Sequence, residues 1–106
     1  MELRGYPLKI YSNRSLHIPR NLCRVYGFHE DTLLIRREIP GGYFFRPFDQ
    51  SCLRLGEKAA ALHREFLHLP AQWLIQNHLI PGKSNLYLTA TDQGFYLMIS
   101  PEFSIG

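Results

Sequence analysis

The sequence predicts an α+β fold that is mostly β, made of two tandem units with the same order of elements: strand, strand, short helix, strand, strand. An internal repeat supports this, because Leu-His-Ile-Pro at residues 16–19 matches Leu-His-Leu-Pro at residues 67–70. Each match is followed by a short helical pattern and by two apolar runs around glycine, which is a hairpin signal. The 106 residues suffice for one compact domain. We expect a first unit at residues 1–48, a second at residues 57–106 and a connection at residues 49–56, with both units intertwined in one domain.

Four strands are predicted in the first unit. Residues 7–11 and 15–18 alternate apolar and polar side chains, as half-buried strands do. The polar triplet at residues 12–14 forms the turn between them. The second pair covers residues 32–37 and 43–46 around Ile-Pro-Gly-Gly. Because glycine allows the backbone angles of a tight turn, this pair is also predicted as a hairpin.

A short helix is predicted between these two hairpins. Pro19 suits the first helical position, since its missing N–H would be unpaired there in any case. Leu22, Val25 and Tyr26 follow at helical spacing and predict an apolar stripe that faces the core. Gly27 suits the left-handed conformation that often ends a helix.

The second unit repeats this order with a less regular sequence. The repeat places residues 59–62, Ala-Ala-Ala-Leu, in the first strand, whereas alanine favours helix, and we give the repeat slightly more weight. A helix is predicted within residues 71–79, directly after a proline, with His78 at the position of the glycine that ends the first helix. The last two strands are predicted at residues 86–90 and 95–99, around Asp-Gln-Gly.

The net charge of +3 is unevenly distributed. Basic residues exceed acidic ones by eight to five over residues 1–53 and equal them, four to four, over residues 54–106. Residues 3–29 carry five basic residues and no acidic one, a concentration that would attract polyanions. Arginine outnumbers lysine nine to three, and its planar guanidinium suits bidentate contacts to phosphate or guanine. A solvated, solubilising surface is the alternative interpretation of these arginines.

Residues 13–34 carry an arginine before an apolar-polar-apolar-Pro strand end, then a short helix that closes on glycine and an apolar residue. This pattern resembles the AbrB/SpoVT/MazE family of swapped-hairpin proteins. The resemblance covers residues 8–47 and recurs over residues 58–101, and two copies in one chain is the arrangement of MraZ-type members. It implies a pseudo-symmetric, swapped-hairpin β-barrel formed within one chain or by exchange in a homodimer. It also implies a small DNA-binding transcription regulator.

Members of this family bind DNA through arginines on the basic face of their hairpins. Carried over by position, Arg14 matches the arginine of the first hairpin turn, and Arg20 and Arg24 lie on the exposed side of the first helix. At most one of Arg36 and Arg37 can join that face, because adjacent strand residues point to opposite sides. The residues implied to contact duplex DNA are Lys9, Arg14, Arg20, Arg24 and Arg36.

The second unit lacks these charges, since its matching positions carry Glu65, Ala71 and Ile75. Two interpretations follow. Either a dimer of chains supplies two basic faces, or the chain is a protein-interaction module, antitoxin-like or regulatory, that uses the same fold without binding DNA. Trp73 and Ile75 form the predicted protein interface. For Trp73 the alternative is a place in the core.

The sequence shows no catalytic constellation: no nucleophile with a base, no paired carboxylates and no glycine motif for nucleotides. Cys23 and Cys52 have no zinc-ligand spacing and are interpreted as reduced and structural. We therefore expect no enzymatic activity, no metal and no small-molecule cofactor. Without a long apolar run or a secretory signal, the expected location is cytoplasmic, with no membrane partner.

Overall fold

The computed structural model describes residues 2–28, 32–48, 53–54 and 56–104. Cys52 and most of the predicted connection lie outside these ranges. Over the described residues the fold is α+β and mostly β, as predicted. Its elements are β1 (Glu2–Arg4), β2 (Tyr6–Lys9), β3 (Ser15–His17), α1 (Arg20–Tyr26), β4 (Leu33–Ile39), β5 (Gly42–Pro47), β6 (Glu57–Ala61), β7 (Phe66–His68), α2 (Ala71–Gln76), β8 (Asn85–Ala90), β9 (Phe95–Met98) and β10 (Glu102–Ser104).

The main sheet is antiparallel, with six strands in the order β2-β8-β9-β5-β4-β6. Strands from the two halves are mixed in it, since β2 pairs with β8, β9 with β5 and β4 with β6. The two hairpins meet at its centre, where Phe44 lies opposite Tyr96. Over the described residues β2 and β6 are edge strands, so the sheets are not closed into the barrel that the resemblance implies. The physical reason is that β3 and β7 leave this sheet and pair with each other.

Strands β3 and β7 form a separate antiparallel ribbon. Its central pair is Leu16 opposite Leu67, and both leucines are buried. Beyond the pairs of the ribbon, the N–H of Ile18 donates to the carbonyl of Glu65 at 2.8 Å. At the other end, the N–H of Leu69 donates to the carbonyl of Arg14, also at 2.8 Å. The sequence repeat therefore aligns two leucines that lie opposite each other in this ribbon.

Glycine permits the close contact between the two hairpins. A Cβ atom at Gly42 would lie 2.1 Å from the carbonyl oxygen of Leu97, and one at Gly94 would lie 2.1 Å from that of Phe45. No side chain fits at such distances. The glycines that the sequence predicts as turn residues thus also allow β5 and β9 to pair at the middle of the sheet.

Helix α1 buries a different stripe from the predicted one. Cys23 is buried and Leu22 and Tyr26 are half-buried, whereas Val25 is 76% exposed. The prediction for Val25 is wrong because Leu22, Cys23 and Tyr26 fill one side of this short helix, and Val25 is rotated by about 100° from the middle of that side. Gly27 ends the helix with a φ of 73°, as predicted.

The second half also differs in detail from the prediction. The alanines of β6 form a strand, which confirms the weight given to the repeat over helix propensity, since pairing with β4 supplies the backbone hydrogen bonds. Helix α2 ends at Gln76, two residues before His78, and buries Trp73 and Leu74. Strands β1 and β10 pair with each other, a contact that the sequence did not predict.

The core draws on both halves of the chain. Its largest fully buried side chains are Phe45, Phe95, Ile10, Leu16, Ile18, Leu34, Ile35, Leu62, Leu67, Leu74, Leu86 and Leu97. Neither half therefore encloses its own core. In the part of the chain that the structure describes, no helix has the length and apolar character needed to cross a membrane.

Candidate nucleic-acid interface

The turn before β3 fixes the backbone of Arg14. The N–H of Arg14 donates to the carbonyl of Tyr11, and the N–H of Tyr11 donates to the carbonyl of Ser15, both at 2.9 Å. The side-chain oxygen of Asn13 accepts hydrogen bonds from the N–H of Ser15 at 3.2 Å and from its hydroxyl at 2.6 Å. Arg14 has a φ of 66°, which is uncommon for a residue other than glycine. The turn is thus held by its hydrogen bonds while the Arg14 residue is exposed.

The turn before β7 has a similar left-handed backbone, with φ values of 49° at Arg64 and 70° at Glu65. Its acidic residue contacts the first unit: Oε1 of Glu65 lies 3.4 Å from Nη2 of Arg20. The Arg20 side chain is 74% exposed and that of Glu65 is 25% exposed. The second unit therefore brings a carboxylate to the basic segment in which the sequence has no acid.

The outer side of the ribbon lies between these two turns. His17 and Phe66 form a cross-strand pair with ring centroids 5.0 Å apart, and Tyr11 packs against Phe66 at 6.0 Å. His68 is exposed on the same ribbon. A shallow groove of about 220 Å³ runs along this side, lined by Asn13, Ser15, His63, Arg64, Phe66 and His68. Aromatic and polar groups thus lie between a turn with Arg14 and a turn with both Arg64 and Glu65.

The ribbon separates Arg14 from Arg20. Arg14 precedes β3, and Glu65, which contacts Arg20, precedes the antiparallel β7, so the two arginines flank opposite ends. Three residues of strand place these ends about 10 Å apart. The major groove of B-DNA is about 12 Å wide and admits a two-stranded ribbon. The two arginines thus lie at the two ends of a two-stranded ribbon, a shape that the major groove admits.

The other predicted DNA contacts do not all belong to this face. Arg24 is exposed in the last turn of α1, and Lys9 is exposed at the end of β2. Arg36 is half-buried, and its guanidinium lies 5.3 Å from the ring centroid of Tyr43. Tyr43 in turn packs against Trp73 of α2, with ring centroids 4.7 Å apart. The structure does not group Arg36 with the arginines of α1.

The two residues of the predicted protein interface have different environments. Trp73 is 5% exposed and packs in the core against Tyr43, so it occupies the place that the sequence offered as the alternative. Ile75 is 68% exposed, and Ile80, which follows the same helix, is 55% exposed. Ile75 therefore keeps an apolar surface for a partner, and Trp73 does not.

Cys23 is the buried residue of α1, and its surroundings do not activate the thiol. Burial raises its pKa, and the Glu65 carboxylate acts in the same direction. A raised pKa keeps a thiol protonated and a poor nucleophile. The arrangement agrees with a structural role for this cysteine.

Glu57, the first residue of β6, has a carboxylate that is held by hydrogen bonds. The backbone N–H of Arg54 donates to Glu57 at 2.8 Å, and the guanidinium of Arg46 donates to both of its oxygens at 3.3 Å. These hydrogen bonds lower the pKa of Glu57. This carboxylate is therefore charged under ordinary conditions, and its hydrogen bonds go to Arg46 of the first unit and Arg54 of the connection.

Sequence reasoning missed the contribution of Arg64, His68 and Phe66 to this face. The sequence signal that could have indicated Arg64 is its position directly before Glu65, the residue that matches Arg14 in the repeat. Only the pairing of β3 with β7 shows that both turns border one surface. Among the residues that the structure describes, no three His, Cys, Asp or Glu side chains lie together as metal ligands would.

Comparison with known proteins does not assign the chain to a family. No protein-family model matches it, and no curated protein or solved structure gives a significant match. The geometry of the ribbon and its turns therefore carries the functional conclusion.

Proposed function

We propose that this chain is a small, non-enzymatic DNA-binding regulator of the AbrB type, located in the cytoplasm. It contacts duplex DNA through the ribbon β3–β7 and the arginines at its ends. The observation that carries the proposal is the position of Arg14 and Arg20, two exposed arginines that flank a ribbon on which His68 is exposed and His17 half-buried.

The proposed architecture is two swapped-hairpin units that complete each other within one chain. The pairings of β2 with β8 and of β6 with β4 support it, since each joins the first strand of one unit to the third strand of the other. The ribbon adds a pairing between the two second strands, and β5 with β9 pairs the two fourth strands. Such reciprocal pairing agrees with the resemblance to the swapped-hairpin family.

In the proposed complex, arginines contact phosphates and the ribbon lies in the major groove. Arg14, Arg20 and Arg24 neutralise phosphates and release counterions, which makes the affinity fall steeply with salt. His17 and His68 lie on the part of the ribbon that reaches the base edges. Because Glu65 offsets one charge at the Arg20 end, a homodimer that supplies two such faces binds more tightly than one chain.

Substitution of two exposed arginines tests this proposal. We expect Arg14→Ala combined with Arg24→Ala to abolish retardation of a generic duplex in a gel at low salt. Thermal unfolding should stay nearly unchanged, because both residues are exposed. Arg54→Ala is the matched control: this arginine is also exposed but precedes β6, and its variant should shift DNA like the parent. If the double variant retards DNA as well as the parent, this face does not bind DNA.

The second candidate is a protein-interaction module of the same fold. It is favoured by the exposed residues Ile75, near the end of α2, and Ile80, which follows this helix, since the position of Ile75 matches Arg24 of the first unit. In that case the parent fails to bind duplex DNA in low salt, and Ile75→Arg changes the mass of the assembly in solution. An unchanged mass argues against self-association through this helix.

A further inference from the structure

A tyrosine ties α1 to the turn of the second hairpin. The hydroxyl of Tyr26 donates to the carbonyls of Thr91 and Gly94, at 2.6 and 2.7 Å. Its ring stacks on Phe28, with centroids 5.3 Å apart and an interplanar angle of 30°, and also approaches Phe95 at 6.0 Å. The Tyr26 ring thus fills the space between α1 and the turn at residues 91–94, and its hydroxyl is within hydrogen-bond distance of two backbone carbonyls of that turn.

The matching position beside α2 carries a shorter side chain. Tyr26 follows Pro19 by seven residues, and Asn77 follows Pro70 by seven. The two prolines begin their helices alike, each accepting at 3.2 Å from the N–H four residues later. The side-chain amide of Asn77 donates back to the carbonyl of Trp73 at 2.8 Å. Asn77 therefore bonds to its own helix, whereas Tyr26 reaches across to a hairpin turn.

A groove of about 420 Å³ lies at this position, lined by residues 38–41, Trp73, Gln76 and Asn77. Its size is within the range of small-molecule sites. The turn at residues 39–42 has the length of the turn at residues 91–94, and each ends in a glycine that approaches the neighbouring hairpin closely. Ile39, which lines the groove, therefore takes the turn position of Thr91, one of the two residues whose carbonyls accept from Tyr26.

We propose that this groove binds a small phenolic molecule. Its ring lies against Trp73, and its hydroxyl donates to the carbonyl of Ile39 in the turn of the first hairpin, as the hydroxyl of Tyr26 does to that of Thr91 in the other unit. The exposed carboxylate of Glu38 at the rim adds a further acceptor and disfavours anionic ligands. This site is separate from the ribbon and does not depend on DNA binding.

The probe for this site is p-cresol, which has the ring and hydroxyl of a tyrosine side chain. We expect it to shift the NMR signals of the Trp73 indole, the single tryptophan of the chain, and of the amides of residues 38–41. Toluene, which lacks the hydroxyl, should bind roughly threefold to tenfold more weakly, as the loss of one or two hydrogen bonds implies. Absence of these shifts at millimolar p-cresol would overturn the proposal, and equal binding of toluene would overturn the role of the hydroxyl.

The second test is a variant in which a tyrosine side chain is added at the groove. Asn77→Tyr should fill the groove as Tyr26 fills its counterpart, remove the response to p-cresol and raise the unfolding midpoint. Gln72→Tyr, at an exposed position of α2 outside the groove, is the matched control and should keep the parent's response. If Asn77→Tyr folds and binds p-cresol like the parent, the ligand lies elsewhere. If that variant does not fold, the titration of the parent alone decides.

Discussion

Glu65 is the acidic residue that the fold brings to the proposed DNA-binding face, and its neutralisation tests that face directly. Its Oε1 atom lies 3.4 Å from Nη2 of Arg20. The carboxylate holds the guanidinium and repels any phosphate that approaches it. Glu65→Gln keeps the size of the side chain and removes its charge. We therefore expect this variant to bind duplex DNA more tightly than the parent.

The expected gain is modest and can be worked out from charge. Two unit charges about 7 Å apart in water interact by about 0.6 kcal/mol, which corresponds to about a threefold change in affinity. Release of Arg20 to contact a phosphate should steepen the salt dependence by about one unit. Because the Arg20 side chain is 74% exposed, the ion pair contributes less than about 1 kcal/mol to folding, so the unfolding midpoint should hardly change.

Fluorescence anisotropy of a labelled duplex, titrated at several salt concentrations, measures both quantities. Glu38→Gln is the matched control, since Glu38 is an exposed glutamate on β4 and lies beside the groove of α2. It should leave the affinity close to that of the parent. Equal or weaker binding by Glu65→Gln at every salt concentration would refute the assignment of this face.

Three further predictions concern stability. Tyr26→Phe removes a hydroxyl that donates to two carbonyls, and we expect a loss of about 1–2 kcal/mol in urea unfolding; an unchanged midpoint would contradict the contact. Gly42→Ala places a Cβ 2.1 Å from the carbonyl of Leu97 and should cost about 2 kcal/mol or more, and a variant as stable as the parent in the same assay would show that the hairpins do not approach so closely. The pKa of Glu57 is lowered in the folded state from an ordinary value of 4.5, so its contribution to stability is present above that pH and is lost as the pH falls through the folded value. Thermal unfolding at decreasing pH should therefore show a smaller acid loss for Glu57→Gln than for the parent, and parallel curves would exclude this role.

Local elements of the fold could be predicted because their signals are local. The glycine that ends α1 follows an apolar stripe directly, and both hairpins are marked by glycine between aromatic and β-branched runs. The strand β6 is the instructive case, since its three alanines favour helix. The repeat predicted a strand correctly because β4 offers a neighbouring ladder, which local propensity does not take into account.

The face of the candidate site could not be predicted from the sequence. The contact between Arg20 and Glu65 joins residues 45 positions apart, and it exists because β3 and β7 leave the main sheet to pair with each other. Val25 was assigned to the core for a related reason. Helical spacing permits more than one apolar stripe in a short helix, and only the packed neighbours decide between Cys23 and Val25.

The account depends most on the pairing of β3 with β7 inside one chain, since this pairing forms the face between Arg14 and Arg20. An isotope-filtered NOE experiment on a mixture of labelled and unlabelled protein measures it directly. We predict strong contacts between the backbone of Leu16 and that of Leu67 within a single labelled chain, and none between labelled and unlabelled chains. Absence of this contact, or its detection only between chains, would contradict the account.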